Sequence, residues 1–537
     1  MEQFDLIIIG AGSAGCVLAG RLSKLRDKRI LILEAGGLDR SPWLHLPIGY
    51  GKTFYHREVN WQYETVAETT LNKRSGYWPR GKVVGGSGAI NAMIYARGLP
   101  KDFADWVGEG AYGWDWDRVT SCYERMETKI SASGEKTGAG PITVQDVSDQ
   151  VHPVSSHFFR AAIELGYLER KDYNQSPFVG PSTYQINTYD GLRNASSRAF
   201  LRPALKCKNV TLRTHAHVDR GIFQNKRAIS VSYTWKGTEH VAKASMEIIL
   251  SAGSIASPTI LERSGIGDSK TLKQHGITTY INNPNVGAHL QDHLGINYYF
   301  KANKPTLNDE LNSWLGRIRA ATQYVLSRRG PLALSVNQCG GYFCSDPRLS
   351  HPDQQLYFNP VTYTTTPSGT RNIIKTDPFS GFILGFSPTR PSSRGYIHIS
   401  SRNPSAKPII NPNSLGTNED IESVISGAKL CQAFVRTNGL KSLIDRPFVS
   451  DLDSMSDMQM LEDFRQRSGT VFHPVGTCRM GRSAENAVVN NKLCLFGIDG
   501  LRIVDASVFP NITSANTNAP TMVLAWRAAE LIIEDYK

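Results

Sequence analysis

Three patterns are missing from the 537-residue sequence, and each absence excludes a class of protein. No apolar run approaches the roughly 20 residues that a membrane-spanning helix needs. No run of five basic residues and no basic stripe interleaved with aromatic residues occurs, so we expect no nucleic-acid partner. The N-terminal segment MEQFDLIIIG has no basic region and no cleavage site, so we expect no signal peptide.

Cysteine is also sparse, because the eight residues are scattered and form no C-x-x-C pair. This spacing gives no zinc site and no disulfide framework, so we expect no metal and a reducing, cytoplasmic location. The net charge is +12. A solvated basic surface explains that excess, and weak attraction to an anionic membrane, with the protein peripheral to the inner membrane, is the alternative.

The sequence opens with a pattern typical of a β-α-β unit. Residues 6–9 form a short apolar run that ends at a glycine, helical spacing follows over residues 14–25, and residues 30–33 form a second apolar run. Further apolar runs at 248–250 and 501–504 predict strands of the same sheet, and a helix is expected over residues 521–536. The pattern predicts an α/β fold, α+β overall, with a Rossmann-like, doubly wound domain.

A second domain is predicted from runs such as 382–386 and 395–399, which are typical of a mostly antiparallel sheet. We expect residues 1–295 to form mainly the dinucleotide-binding domain, with insertions of the second domain near 155–190. Residues 296–470 are expected to form mainly the substrate-binding domain, with a mobile loop at the polar stretch 363–371. Residues 471–537 are expected to return to the first domain and to complete the active site.

Two glycine clusters indicate the cofactor. Gly10, Gly12 and Gly15 follow the first strand and open the helix, which suits a pyrophosphate, and Glu34 ends the next strand, where a carboxylate binds ribose hydroxyls. This site fits either FAD or NAD. A second cluster, GKVVGGSGAINAMIYARG at 81–98, gives a second close backbone approach. FAD bound along its whole length needs such a second cradle and NAD does not, so FAD is predicted.

These segments resemble the glucose–methanol–choline (GMC) oxidoreductases. Residues 81–104 match the first signature of that family, and GSIASPTILERSGIG at 253–267 matches the second. The segments GAGSAG, HPVGTCRMG and VDASVFPNITSANTNAPT fit as well, and the bacterial alcohol and choline dehydrogenases are the most similar branch. The resemblance implies that the protein binds FAD and removes a hydride from an alcohol.

The resemblance also assigns residues. The catalytic histidine of the family falls on His473 and the second catalytic position on Asn516. Ile90 occupies the position where some members attach FAD to a histidine, so non-covalent FAD is expected. Substrate contacts are expected from Val471, Phe472, His473 and Asn516. The expected FAD contacts are Gly10, Gly12, Ser13, Ala14, Gly15, Glu34, Ala35, Trp78, Arg80, Gly81, Val84, Gly85, Ser87, Asn91, Ala92, Met93, Val218, Ala252, Gly253, Asp505, Ala506, Asn516, Asn518 and Thr521.

Taken alone, a histidine beside apolar residues is more often a core residue than a catalyst. The FAD motifs and Asn516 reverse that interpretation, because oxidation of an alcohol requires a base for the O–H proton. The main hypothesis is a dehydrogenase of primary alcohols that passes electrons to a quinone or another acceptor. The alternatives are an oxidase that uses O2 and produces H2O2, and a non-redox FAD lyase.

Overall fold

The structure is a computed structural model, and it describes residues 2–365 and 371–536. The loop that we expected to be mobile, at 363–371, falls mostly on residues 366–370, which lie outside the described residues. The strands include β1 Glu2–Ile9, β2 Ile30–Leu33, β3 Glu127–Ile130, β4 Lys136–Gly138, β5 Ile142–Gln145, β6 Val210–Arg213, β7 Ala216–Gln224, β8 Arg227–Trp235, β9 Thr238–Leu250, β10 Leu294–Ala302, β11 Cys339–Phe343, β12 Gln354–Asn359, β13 Gly381–Pro388, β14 Ile444–Pro447 and β15 Leu501–Ile503.

The longer helices surround the sheets. They are α1 Ser13–Leu22, α2 Pro100–Gly108, α3 Trp116–Met126, α4 Ser156–Glu164, α5 Gly253–Arg263, α6 Ser269–Gln274, α7 Leu307–Asn312, α8 Trp314–Ser327, α9 Asn418–Arg436, α10 Asp457–Arg467 and α11 Asn518–Asp535. Short strand pairs include Tyr63–Glu64 with Tyr77–Trp78, Thr188–Tyr189 with Leu192–Arg193, and Tyr396–His398 with Ile409–Asn411. Within the described ranges, no helix is long and apolar enough to cross a bilayer.

The first sheet has the order β6-β2-β1-β9-β8-β7, and β15 also pairs with β9. The pairs β6–β2, β2–β1, β1–β9 and β9–β15 are parallel. β9 is long enough to pair with the antiparallel β8 in its first half and with β15 at its end, where Ile248 lies opposite Leu501. The predicted α/β architecture is confirmed, and the predicted C-terminal helix begins three residues earlier than expected, at Asn518.

The second sheet has the order β11-β12-β13-β10-β14, and its pairs are antiparallel. The expectation of a mostly antiparallel second sheet is therefore confirmed. Helix α4, which precedes this sheet in sequence by more than a hundred residues, packs its buried face against the sheet and against α9. The boundaries that we assigned to the two domains remain predictions.

Phe158 of α4 lies at the centre of the second hydrophobic core. Its side chain is fully buried and stacks on Phe358 and on Phe434, with ring centroids 5.5 Å and 5.4 Å away. Aromatic rings stacked in this way contribute both buried area and direct ring contacts. Phe158 therefore joins α4 to the sheet and to α9 at one point.

We expect Phe158→Ala to lower the free energy of unfolding by about 3–5 kcal/mol, because the truncation removes these contacts and leaves a cavity. Urea unfolding followed by circular dichroism measures the change. Ile163→Ala on the same helix is the matched control, since the Ile163 side chain is 54% exposed. Equal losses in the two variants would contradict the central place of Phe158.

Candidate active site

A large cavity of about 560 Å³ lies where the parallel strands of the first sheet end. The residues that follow four of these strands, Gly10 after β1, Glu34 after β2, Ser251 after β9 and Asp505 beyond β15, all line the cavity. The opposite part of the wall comes from the second sheet, including Ile296, Tyr357 and Phe386. The cavity therefore joins the two sheets, and its floor is the carboxyl edge of the first.

Three helices begin at this cavity, and within the described residues only α5 has its first N–H paired with a side chain from elsewhere, the carboxylate of Asp505. Helix α1 begins at Ser13, α5 at Gly253 and α11 at Asn518, and no side chain of the N-cap residues accepts a hydrogen bond from them. All three residues line the cavity. The N-terminus of a helix carries partial positive charge and free N–H donors, so this arrangement favours an anionic ligand.

The two glycine clusters meet beside α1. A Cβ atom placed on Gly86 would lie 2.7 Å from the Cα of Gly12, and one on Gly88 would lie 2.7 Å from the Oγ of Ser13. Larger residues would separate the two segments, so the glycines allow both backbones to reach the cavity. Gly86 also has a φ of +55°, a backbone conformation that residue types other than glycine rarely adopt.

Glu34 is buried and holds the end of β2 against the first glycine turn. Its carboxylate accepts hydrogen bonds from the backbone N–H groups of Ala11 and Gly36, each at 2.8 Å. Burial raises the pKa of Glu34 to about 6. A carboxylate held at the cavity wall in this way can accept hydrogen bonds from the hydroxyl groups of a ribose.

Asp505 ties the C-terminal strand to helix α5. Its carboxylate accepts hydrogen bonds from the backbone N–H of Gly253 at 2.8 Å and from the hydroxyl of Ser257 at 2.6 Å. It also accepts one from the backbone N–H of Ser507 at 2.8 Å. Burial raises the pKa of Asp505, and these three donors oppose the increase. The carboxylate of Asp505 thus holds the start of α5 next to the segment 505–507.

The segment 470–475, which carries His473, is fixed by the segment before β10. The backbone N–H of His473 donates to the carboxylate of Asp292 at 2.7 Å, and the Thr470 hydroxyl donates to the same carboxylate. Phe472 has a φ of +71°, and Arg80 donates to its carbonyl oxygen at 2.5 Å. These bonds hold a strained turn that directs His473 into the cavity.

The hydrogen bonds of His293 determine which nitrogen of His473 carries the proton. His293 Nε2 lies 2.8 Å from the carbonyl oxygen of Thr389, which can only accept, so Nε2 of His293 carries the hydrogen. In neutral His293 the other nitrogen, Nδ1, must then be an acceptor. It lies 2.9 Å from Nδ1 of His473, which is therefore the donor. His473 is left with an unprotonated Nε2.

The unprotonated Nε2 of His473 is in contact with the side chain of Asn516. The side-chain Nδ2 of Asn516 lies 3.1 Å from Nε2 of His473 and donates to it. The other end of the amide, Oδ1, accepts from Nε2 of Gln355 at 3.3 Å, and Gln355 in turn accepts from the hydroxyl of Tyr357 at 2.8 Å. A directional series of hydrogen bonds therefore runs from Tyr357 to the carbonyl of Thr389, with His473 in the middle.

Burial keeps both histidines neutral. The pKa of His473 lies well below its ordinary value, first because of burial and then because of His293 and the positive charge of Arg80. Burial also lowers the pKa of His293, to about 4, although the carbonyl of Thr389 opposes the change. Asp292 shifts the other way, and burial raises its pKa to about 7. A neutral imidazole with a free Nε2 is the form of histidine that can accept a proton.

The structure brings most of the predicted residues to this one wall. His473, Asn516, Val471 and Phe472 line the same cavity as the glycine turns, 43 residues separating His473 from Asn516 in sequence. The expected FAD contacts that line it are Gly10, Gly12, Ser13, Ala14, Glu34, Ala35, Arg80, Gly81, Ser87, Asn91, Ala92, Met93, Val218, Ala252, Gly253, Asp505, Ala506, Asn518 and Thr521.

Four expected contacts lie behind the wall. Gly15 faces β1, where a Cβ atom would lie 1.9 Å from the carbonyl oxygen of Gly10. Trp78 is buried in a small core with Tyr63, and Val84 belongs to the main core. Gly85 donates its N–H to the carbonyl of Ala11 at 2.7 Å. These residues support the shape of the site from outside the cavity.

Sequence reasoning missed several residues of the site. Asp292, His293, Gln355 and Thr389 were not singled out, although together they position His473 and Asn516. The available signal was the pair Asp292–His293, two adjacent ionisable residues directly before the apolar strand β10. A second omission is the segment 399–408, most of which lines the cavity.

The residues present fit FAD. Three side chains of the wall, Arg80, Ser254 and Asn359, each have a buried polar atom without a partner among the described residues, and a bound polar ligand would supply one. The N-termini of α1 and α11 favour the negative charge of a pyrophosphate and of a reduced flavin. The glycine turns leave room for close backbone approach, and Glu34 suits a ribose.

Two family profiles match the sequence. The N-terminal profile of the GMC oxidoreductases matches residues 4–295, and the C-terminal profile matches residues 391–525. The chain is 37% identical to alcohol dehydrogenase (acceptor) of Pseudomonas putida, over 99% of this chain and 96% of that protein. It is 35% identical to oxygen-dependent choline dehydrogenase of Photobacterium profundum, over 99% of this chain and 93% of that protein.

A solved structure gives the same result. The fold is similar to that of pyridoxine 4-oxidase from Mesorbium loti, with a TM-score of 0.88, 28% sequence identity and 99% of each chain covered. Both family profiles and relatives that match along nearly the whole sequence lead to one conclusion: this chain belongs to the GMC oxidoreductase family.

Proposed function

We propose that the protein oxidises an uncharged primary alcohol to the aldehyde, with His473 as the base. The observation that carries this proposal is the unprotonated Nε2 of His473, which lies at the cavity wall beside the amide of Asn516. A neutral imidazole can take the hydroxyl proton of an alcohol, and an amide N–H can stabilise the alkoxide that develops.

FAD is the cofactor, and when bound it supplies the acceptor for the hydride. The residues that would hold it are the glycine turns around Gly12 and Gly86, Glu34, and the N-termini of α1, α5 and α11. We expect the cofactor to be held without a covalent bond. The chain has Ile90, an unreactive side chain, at the position where some family members have a histidine.

Each polar group near His473 has a separate task in this proposal. Nε2 of His473 receives the proton of the substrate hydroxyl, and Asn516 donates to the substrate oxygen as it gains negative charge. Gln355 holds the amide of Asn516 in the orientation that presents its N–H groups. His293 is a positioning residue, because it keeps the proton of His473 on Nδ1 and leaves Nε2 free.

An uncharged substrate is favoured over choline by the charges of the cavity. Among the described residues of the wall, the only carboxylates are Glu34 and Asp505, and both already accept hydrogen bonds from backbone N–H groups. Arg80, Lys82, Arg263 and Lys407 add positive charge. These positive charges oppose a quaternary ammonium group, so a neutral alcohol suits this wall better.

We propose a quinone, or another acceptor that is not oxygen, as the electron acceptor. The name of the Pseudomonas putida relative, alcohol dehydrogenase (acceptor), supports this choice. A cytoplasmic protein peripheral to the inner membrane would meet such an acceptor in the bilayer.

Air admitted to the alcohol-reduced protein distinguishes a dehydrogenase from an oxidase. Fast return of the flavin colour with peroxide indicates an oxidase, and slow return indicates a dehydrogenase.

We expect His473→Ala to lower the rate at which alcohols bleach the flavin by about 10²–10⁴-fold, because the base is lost. The measurement is anaerobic stopped-flow absorbance per bound flavin, over a panel of aliphatic and aromatic alcohols. His217→Gln is the control, since His217 lines the cavity but makes no contact with His473 in the described structure. Full activity of His473→Ala would overturn the proposal.

We expect His293→Leu to slow flavin reduction about 10–100-fold, because His473 loses the acceptor that fixes its proton on Nδ1. His293→Asn keeps an oxygen acceptor in a similar place and should recover most of the rate. Leucine fills the space of the imidazole but has no acceptor, whereas asparagine has an acceptor but is too small to fill the space. The comparison therefore separates the effect of the hydrogen bond from the effect of packing. A rate in the asparagine variant as low as that in the leucine variant would contradict the assigned tautomer.

The pH dependence of kcat/KM tests the burial of His473. Because its pKa lies well below the ordinary value, Nε2 stays unprotonated across neutral pH, and we expect no loss of kcat/KM through His473 between about pH 8 and pH 6.5. Burial raises the pKa of Asp292 to about 7, so we expect this carboxyl group to change its protonation state in that range. An inflection near pH 7 should therefore disappear in Asp292→Asn. An inflection that persists in this variant would contradict a neutral, buried His473.

A further inference from the structure

Helix α8 presents an apolar surface to solvent. Five of its large hydrophobic side chains are exposed, by 54% to 80%, and we call them the α8 stripe: Trp314, Leu315, Ile318, Val325 and Leu326. Trp314, Ile318 and Val325 follow one another at helical spacing, and Leu315 and Leu326 form the adjacent row, so the five share one face. Such a continuous exposed face is unusual on a soluble protein surface.

The protein uses a different face of the helix for packing. Ala320 and Tyr324, one turn apart, are the buried residues of α8, and the hydroxyl of Tyr324 donates to the carbonyl of Gly191 at 3.0 Å. A helix that served only to cover the core would turn its largest apolar side chains inward. In α8 the small alanine and one tyrosine point inward, and the larger aliphatic side chains point outward.

Basic residues border the α8 stripe. The segment 313–330 contains four arginines and no acidic residue. Arg329 pairs with Asp149. In the described ranges, Arg317, Arg319 and Arg328 have no carboxylate within ion-pair distance, and two of them carry other contacts: Arg317 donates to the carbonyl of Leu311, and Arg328 lies over the ring of Tyr324. Three positive charges therefore remain beside the apolar face.

We propose that α8 docks the protein on the surface of an anionic lipid bilayer. An amphipathic helix with an apolar face and basic flanks lies in the interface, with its apolar side chains among the acyl chains and its arginines at the phosphates. The 14 residues of α8 give a length of about 21 Å, too short to cross the bilayer and suited to lying flat.

A second copy of the chain is a poorer partner for the α8 stripe. Two stripes packed face to face would bring the arginines of both copies together, and like charges across an interface oppose association. Lipid phosphates supply the opposite charge instead. The net charge of +12 adds a long-range attraction between the protein and the anionic surface of the bilayer.

The position of α8 relates this surface to the cavity. The helix ends at Ser327, and Val336 and Asn337, nine and ten residues further on, line the cavity. The intervening short helix at 331–333 packs against the turn at 47–49, next to Tyr50 of the cavity wall. Docking through α8 would therefore place one part of the cavity wall close to the bilayer.

Flotation of the FAD-loaded full chain with vesicles tests this proposal. The vesicles are phosphatidylcholine with about 30% phosphatidylglycerol, and pure phosphatidylcholine is the comparison. We expect the triple variant Ile318→Ser/Val325→Ser/Leu326→Ser to bind at least tenfold more weakly than the natural sequence. Ile163→Ser/Leu168→Ser/Met458→Ser is the matched control, since its side chains are exposed by 54%, 67% and 81%.

The arginines give a second, independent measurement. Arg317→Gln and Arg319→Gln should each weaken binding to the anionic vesicles by about fivefold and leave binding to pure phosphatidylcholine unchanged. Equal binding by the natural chain and the stripe variant would overturn the proposal. So would a dimer of the natural chain that becomes monomeric in the stripe variant while neither protein binds vesicles, since the stripe would then be a subunit interface.

Discussion

The parallel pairing of β9 with β1 on one side and with β15 on the other is the contact on which the site depends. It brings together residues that lie some 500 positions apart, because Gly10 follows β1 and Asp505 follows β15. The first residues of three helices line the same space. The carboxylate of Asp505 already accepts from the N-terminus of α5, and an anionic cofactor would meet the partial positive charge at the N-termini of α1 and α11.

The tautomer of His473 is determined by a carbonyl group two hydrogen bonds away. The carbonyl oxygen of Thr389 can only accept a hydrogen bond, and that property passes through His293 to fix the free nitrogen of His473. Burial then keeps both rings neutral. The unprotonated Nε2 that we propose as the base is therefore a result of hydrogen-bond geometry and desolvation.

The parts of this structure that depend on local sequence could be predicted. The β-α-β opening, the glycine turns and Glu34 follow from periodicity over some 30 residues, and the family signatures identified His473 and Asn516. His293 and Gln355 could not be found in this way, because their importance arises from side chains that meet across 180 and 161 residues of sequence. The start of α11 was expected too late, since Pro520 lies inside its first turn rather than before it.

The outward-facing residues of α8 were missed for a different reason. Apolar residues at helical spacing predict an amphipathic helix, and the usual assumption is that the apolar face turns toward the core. The direction of that face is a tertiary property, which Ala320 and Tyr324 decide by packing against the body of the protein. Periodicity alone has no information about which side of a helix the rest of the chain occupies.

The late position of β15 has a consequence for biosynthesis. While the chain is being made, β1, β2 and β9 can pair as soon as residue 250 is available, but the edge of β9 that receives residues 501–503 stays open until the last tenth of the chain is synthesised. The N-terminus of α11 follows only after that. A nascent chain therefore carries an unfinished cradle through almost half of translation, and we expect cofactor capture to be a post-translational event that also closes the sheet.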